Sequence, residues 1–217
     1  MAIQHASQRE AFGAKLIDKP LMSAVLADLA IESEASTRLA MYLAHCFDDN
    51  APDIDRHLGR LLTPAGKFHV CKRGPQFAAE AMEVLGGNGY VEELDLARIY
   101  REMPLLSIWE GSGNVMCLDV LRGIARDHDA AAALRQRMQD TLGEHPALDA
   151  HTEQLLKSLE KPAEADGRRI AHGITLAIQA GLLLRHAPAK VADAFCTSRL
   201  SGTGLWGASF GTLPAGL

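Results

Sequence analysis

From Pro20 to Phe47 the chain contains no glycine, and no proline after its first residue. Along it Met22, Leu26, Leu29, Ser33, Ser36, Ala40, Leu43 and Phe47 recur every three or four positions, the period of one helix face. Asp18-Lys19-Pro20 is a start signal, with Asp18 or Lys19 near the cap and the proline in the first turn. The polar turn from Asp48 to Asp53 closes it. The small residues in mid-face let a neighbouring helix approach closely. With further helical patterns along the chain and no β pattern of useful length, the fold class is all-α, an antiparallel helical bundle.

The rest of the chain fits that frame. Residues 1–8 read as the end of a helix, broken at Arg9-Glu10-Ala11-Phe12-Gly13. A second long helical region spans about 55–85, its buried face supplied by Leu58, Leu61, Leu62, Ala65, Phe68, Ala78, Ala81, Met82 and Leu85. Pro64 and Pro75 are expected to bend or interrupt it. Gly86-Gly87 ends it, and a loop follows over 88–93. Short helical character returns at 94–101, then a helix over 112–127. Further helical patterns cover 129–142, 150–186 and 188–200, with Lys161-Pro162 interrupting the second, which reads as two helices with a bend. The stretch from Gly202 to Leu217 is glycine-rich and irregular, and no β pattern of useful length is present.

Composition narrows the function classes. Hydrophobic residues make up 47% of the 217, enough for a sizeable core, and aromatics only 5%, which favours helix packing over a β-sandwich. The net charge of −5 argues against a free-standing nucleic-acid binder, and all of the acidic excess lies in residues 1–122. Cys46, Cys71, Cys117 and Cys196 form no C-x-x-C pair, and the nine histidines share no local spacing, so no metal site is expected and the thiols read as buried and reduced. No apolar run reaches membrane-spanning length, and Met1 to Ala6 lacks the order of a signal peptide, so a cytoplasmic location without membrane contact is expected.

Three glycine-punctuated places separate the helices: Arg9 to Gly13, Gly86 to Tyr90, and Glu110 to Asn114. Singly, each is an ordinary helix end. In order, they resemble the C-terminal helical domain of the acyl-CoA dehydrogenases. Arg9-x-x-Phe12-Gly13 is similar to that family's Arg-x-x-Phe-Gly. Glu83-Val84-Leu85-Gly86-Gly87-Asn88-Gly89-Tyr90 resembles its Gln-x-x-Gly-Gly-x-Gly-(Phe/Tyr), with Glu83 in place of the usual glutamine. Arg101-Glu102 resembles its Arg-Asp, and Trp109-Glu110-Gly111-Ser112 its (Tyr/Trp)-Glu-Gly-(Thr/Ser). Lys72-Arg73-Gly74-Pro75, Ala81-Met82-Glu83, the run from Ser107 to Asp119, and Lys161-Pro162-Ala163-Glu164 resemble the AidB-type subgroup, flavoproteins tied to the adaptive response to DNA alkylation. The resemblance extends from Gln4 to about Pro214 and implies two parts: a family bundle over 1–128 and a helical extension over 129–217 packed on it.

The resemblance implies an FAD-dependent oxidoreductase that removes an α-proton from an acyl-CoA thioester while the β-hydride leaves to the flavin. Glu110 stands where many members place the base, although other branches place it on an earlier helix. Its alternative role is that of an acid favoured by a helix N-terminus. Ser112 and Asn114 stand where the family's residues donate to FAD, and Trp109 where the flavin pocket is walled. Arg9 matches an arginine that reaches the FAD pyrophosphate, commonly of a neighbouring subunit, with Phe12 beside it. Gly86, Gly87 and Glu83 match the adenosine side. A homo-oligomer is implied. Because full members carry an N-terminal helical and a middle β domain, this chain alone is expected to be inactive. Arg168, Arg169, Arg185, Lys190 and Arg199 supply a possible basic face for DNA, or only a solvated one. The remaining alternative is a non-catalytic helical oligomerisation fragment.

Overall fold

The computed structural model describes residues 1–201, so the glycine-rich stretch from 202 onward lies outside the described residues. The elements follow as α1 (Ala2–Gln8), β1 (Glu10–Ala11), β2 (Ala14–Lys15), α2 (Pro20–His45), α3 (Asp53–Val84), α4 (Gly87–Tyr90), α5 (Asp95–Leu106), α6 (Gly113–Arg126), α7 (His128–Gln139), α8 (Pro146–Ser158), α9 (Gly167–His186) and α10 (Ala189–Arg199). Single 3-10 turns precede α2 (Leu16–Asp18) and α9 (Glu164–Asp166). The fold is the all-α bundle expected.

Helix α3 is the axis. It packs against α2, α5, α6, α7 and α9. Its expected apolar face is the one it buries, with Leu58, Leu61, Leu62 and Ala65 fully covered. Contrary to expectation, Pro64 and Pro75 do not interrupt it, and the helix is continuous over 32 residues. Each proline forfeits one backbone hydrogen bond. Neighbours along the length of α3 hold it helical where propensity alone would not. One core joins α2, α3 and α6–α10 through residues such as Leu39, Val120, Leu134, Leu148, Ile174 and Phe195. A smaller cluster at the C-terminal end of α3 gathers Ala6, Leu26, Leu29, Val84, Leu85 and Leu96.

Several expectations need correction. The buried side of α2 is Leu26, Asp28, Leu29, Ile31, Glu32, Ala35 and Leu39, so Leu26 and Leu29 of the expected face are buried, while Ser33, Ala40 and Phe47 are exposed. An apolar pattern search passes over two acidic residues, yet arginines from other helices meet them here. Residues 10–15 form a two-stranded hairpin with Glu10 opposite Lys15 and Ala11 opposite Ala14, too short to show a period of two. The loop expected at 88–93 contains one helical turn, α4. Helix α5 continues to Leu106 through Pro104. The stretch 150–186 is two helices, α8 starting earlier at Pro146, with residues 159–166 between them instead of a simple bend.

Candidate functional site

The Trp109–Asn114 turn sits between α5 and α6. Ile108 N–H donates to Leu105 O at 2.9 Å and Trp109 N–H to the same oxygen at 3.2 Å, so α5 unwinds tightly. The next two residues are left-handed: Glu110 at φ 50° and Gly111 at φ 104°. A non-glycine residue in that region is held there by its surroundings. The holder is Lys67, from the middle of α3. Its Nζ donates to Trp109 O at 2.9 Å and also to Gly111 O, gripping the two carbonyls that flank Glu110. The Glu110 side chain is left exposed on a surface cleft of about 450 Å³ shared with Phe47, Thr63, Met116 and the Arg60–Asp119 pair. Arg60 and Asp119 are joined by two hydrogen bonds of 2.9 Å.

Gly111 suits its left-handed backbone, and both glycines of the turn are closely packed by side chains. A Cβ on Gly111 would lie 2.2 Å from Met116 Cε, and one on Gly113 would lie 3.0 Å from Lys72 Cε and 3.5 Å from the Phe68 ring. Ser112 is the N-cap of α6, but its hydroxyl makes no capping bond and is exposed. Asn114 Oδ1 accepts from Arg168 Nε at 2.8 Å, and the Arg168 guanidinium lies 5.7 Å from the Phe68 ring centre. Trp109 is 54% exposed. The turn is therefore pinned by α3 on one side and by α9 on the other, with its indole, carboxylate and hydroxyl turned outward.

The other sequence-marked residues gather elsewhere. Arg9 follows α1 and is exposed, its N–H donating to His5 O. The hairpin turn that follows has both central residues left-handed, Phe12 at φ 54° and Gly13 at φ 78°. Lys19 Nζ donates to Phe12 O at 2.7 Å, and the Phe12 ring is 91% exposed. Gly86 leaves α3 at φ 60°, a conformation that favours glycine. Glu83 is exposed on the last turn of α3. Arg101 reaches Glu92 with bonds of 2.6 and 2.9 Å, clipping the chain after α4 onto α5. Arg9, Phe12, Gly86, Gly87 and Glu83 thus flank the small core at the C-terminal end of α3. Lys67 and Val84 are seventeen residues apart on that helix, about 25 Å of rise. The structure brings the marked residues together as two groups, not one.

A buried polar junction was not anticipated. Asp28, fully buried on α2, pairs with Arg199 of α10. Glu32 receives Arg73 through both oxygens at 3.1 and 3.2 Å and Arg199 at 3.3 Å. Burial works to raise the Glu32 carboxyl, but the charge and hydrogen bond of Arg73, then Arg199 and His69, hold it below the usual carboxylate range. His69 Nδ1 meets His172 Nδ1 at 3.0 Å. The spacing of four between Asp28 and Glu32, and between His69 and Arg73, was the available signal. Of the basic tail residues, Arg199 is thereby withdrawn from any surface, Arg168 is held by Asn114, and Arg169 and Arg185 lie beside Asp166 and Glu144.

All four cysteines are free, with Cys46, Cys117 and Cys196 buried. Among the described residues no group of three or more histidines, cysteines or acids is placed to hold a metal ion, and no helix is long and apolar enough to cross a membrane.

Comparison with known proteins shows the family and the fold. A family model described as "Acyl-CoA dehydrogenase, C-terminal domain" matches residues 1–125. The AidB protein of Escherichia coli (strain K12) is 45% identical over 94% of this chain, which covers 38% of AidB. The rat mitochondrial short-chain specific acyl-CoA dehydrogenase is 28% identical over 58% of this chain and 29% of its own length. The crystal structure of Caenorhabditis elegans ACDH-11 in complex with C11-CoA superposes with a TM-score of 0.84 at 25% identity, over 92% of this chain and 39% of that one. The chain therefore spans about two fifths of the length of the relatives that match it almost throughout.

Proposed function

The chain belongs to the acyl-CoA dehydrogenase family through that family's C-terminal domain, and from this premise we propose that it forms the C-terminal part of an AidB-type, FAD-dependent oxidoreductase that dehydrogenates acyl-CoA thioesters between the α and β carbons. The observation that carries the reading is the grip of Lys67 on the carbonyls either side of Glu110. It fixes a carboxylate outward on a left-handed turn, as a proton acceptor for a substrate arriving from outside this domain requires. Desolvation by that substrate raises a carboxyl towards the range useful to a base.

The residues fit a flavin dinucleotide. The N-terminus of α6 faces outward with the Ser112 hydroxyl uncommitted, an end that favours phosphate. Trp109 offers an exposed apolar wall, and Asn114 is oriented by Arg168. Arg9 makes no ion pair among the described residues, and the bare backbone at Gly86 and Gly87 admits close approach. When bound, FAD supplies the hydride acceptor. The protein's part is to hold Glu110, to wall the site with Trp109, and to place donors at Ser112 and Asn114.

Arg9 and Phe12 lie at the other end of α3 from Glu110, so in this reading they serve a second copy's cofactor and the protein works as a homo-oligomer. The exposed rings of Phe12 and Tyr90 are the surface such a neighbour covers. The family bundle occupies residues 1–128, and the extension from 129 carries α7–α10. The protein is cytoplasmic. Because the acyl-CoA and most of the flavin lie outside this domain, the chain alone does not turn over substrate.

The test is a titration of the 217-residue chain with FAD, read by flavin fluorescence. Saturable micromolar binding, weakened about tenfold by Arg9→Ala or Ser112→Ala, is expected. Binding that ignores both changes would overturn the assignment of these residues. Dye reduction by this chain with any acyl-CoA would overturn its inactivity alone.

A further inference from the structure

We infer that the cavity enclosed by α2, α3, α7 and α9 is a binding site for a small carboxylate with a compact apolar body, separate from the Glu110 turn. The cavity has a volume of about 240 Å³. An apolar cavity of about 150 Å³ takes benzene, so this one has room for a ring of that size and a carboxylate. Its apolar side is Met138, Ala177, Ile178 and Leu182. Gly181 keeps the floor open, since a Cβ there would come within 3.0 Å of Thr141 Cγ2.

The polar side decides what the guest must carry. Asp55 is buried and already engaged, accepting from the Tyr42 hydroxyl and from Arg137 Nη2, with His45 Nε2 at 3.6 Å. Arg137 Nε is buried and has no hydrogen-bond partner among the described residues. A buried donor in that state calls for an acceptor oxygen. Arg185 and His186 stand at the mouth. Arg185 is only loosely engaged, with Nε 3.8 Å from Glu144 Oε1 and Nη2 3.4 Å from Asp140 O. Arg137 and Arg185 line the cavity with Asp55 as the carboxylate of the lining, while Glu144 and Asp140 act on the two arginines from outside it, so the lining itself favours an anion over an ammonium. Asp55 and Lys67 are twelve residues apart on α3, about 18 Å of rise, so the cavity lies well apart from the Glu110 turn.

Calorimetric titration of the chain with benzoate, benzyl alcohol and benzylamine tests the inference. Benzoate is expected to bind saturably, benzyl alcohol at least about tenfold more weakly, and benzylamine not at all. Arg185→Gln should weaken benzoate about tenfold, and Leu182→Trp should abolish binding by filling the cavity. Both positions lie towards the mouth, and an unchanged melting temperature without ligand confirms that each variant folds. Equal binding of the three probes, benzoate binding indifferent to both variants, or no saturation up to about 10 mM benzoate would each overturn the site. The last result would mean that the cavity holds only water.

Discussion

His69 and His172 meet through their Nδ1 atoms at 3.0 Å, so one imidazole donates and the other accepts, and the accepting ring cannot take a second proton without setting two donors face to face. Acid is therefore the perturbation that tests the junction of α2, α3 and α9. The groups facing the pair are Glu32 from α2, Arg73 from α3, His151 from α8 and Arg199 from α10. Burial, and then His172, push His69 down to about 3; Glu32 opposes this, and Arg73 and Arg199 add to it. Unfolded, the same side chain titrates near 6.5. Between those values the unfolded chain binds one more proton than the folded one, so stability falls as the pH falls. Moving from pH 7 to pH 5 then removes about 2 kcal/mol through His69 alone. Only 3% of its side chain is exposed, so solvent screening does little to reduce that. His172 and His151 are also held low, chiefly by burial, and act in the same direction. Glu32 works with the opposite shift: its stabilisation is complete above its unfolded value near 4.5 and is lost only below it, outside this window. Urea unfolding followed by circular dichroism at pH 7, 6 and 5 measures the slope. The wild type should lose stability steadily, and His69→Gln should lose about one proton less per molecule. A His69→Gln slope equal to the wild type's, or a wild type indifferent to pH across the window, would refute the reasoning.

Two further substitutions probe the same construction. Arg199→Met removes the guanidinium shared by buried Asp28 and Glu32 and should cost about 3 kcal/mol or more in urea unfolding at pH 7, whereas a loss below about 1 kcal/mol would mean that the pair is not sustaining α10 on α2. Gly111→Ala places a Cβ 2.2 Å from Met116 Cε at φ 104° and should cost about 1–3 kcal/mol in the same assay while weakening FAD, and an alanine variant as stable as the wild type would show that the turn is not held in this conformation.

Much of the helical layout was legible because long apolar periods survive in the chain. The face of α3 from Leu58 to Phe68 is the one it buries. The readings failed where the decisive interaction is remote in sequence. On α2, a period search selects Ser33 and Ala40 because Asp28 and Glu32 look like solvent positions. Their cations lie at Arg73 and Arg199, 41 and 167 residues from Glu32. The interruption allowed for at the prolines of α3 does not occur for the same reason, since packing from several helices overrides a local break. At the Glu110 turn the motif identified the outward-facing groups, Trp109, Glu110 and Ser112. It could not show Lys67 beneath them, 42 residues before Trp109, because a lysine in a helix interior carries no mark of what its ammonium reaches.

Those remote pairs also tie residues that the family model matches to residues beyond that match. The family match ends at residue 125, yet groups within it are completed by residues beyond it. Arg168 of α9 orients Asn114, His172 faces His69, and Arg199 of α10 neutralises Asp28 and Glu32. A carboxylate as deeply buried as Asp28 is tolerated only while a cation meets it. Relatives such as the rat short-chain enzyme align with only 58% of this chain, while AidB aligns with 94%. Asp28 therefore makes chemical sense together with Arg199 of α10, which also reaches Glu32 beside Arg73. Helix α9 in turn places the Arg168 guanidinium on Asn114 next to the turn that bears Glu110, and through it a change in α9 can reach the proposed base.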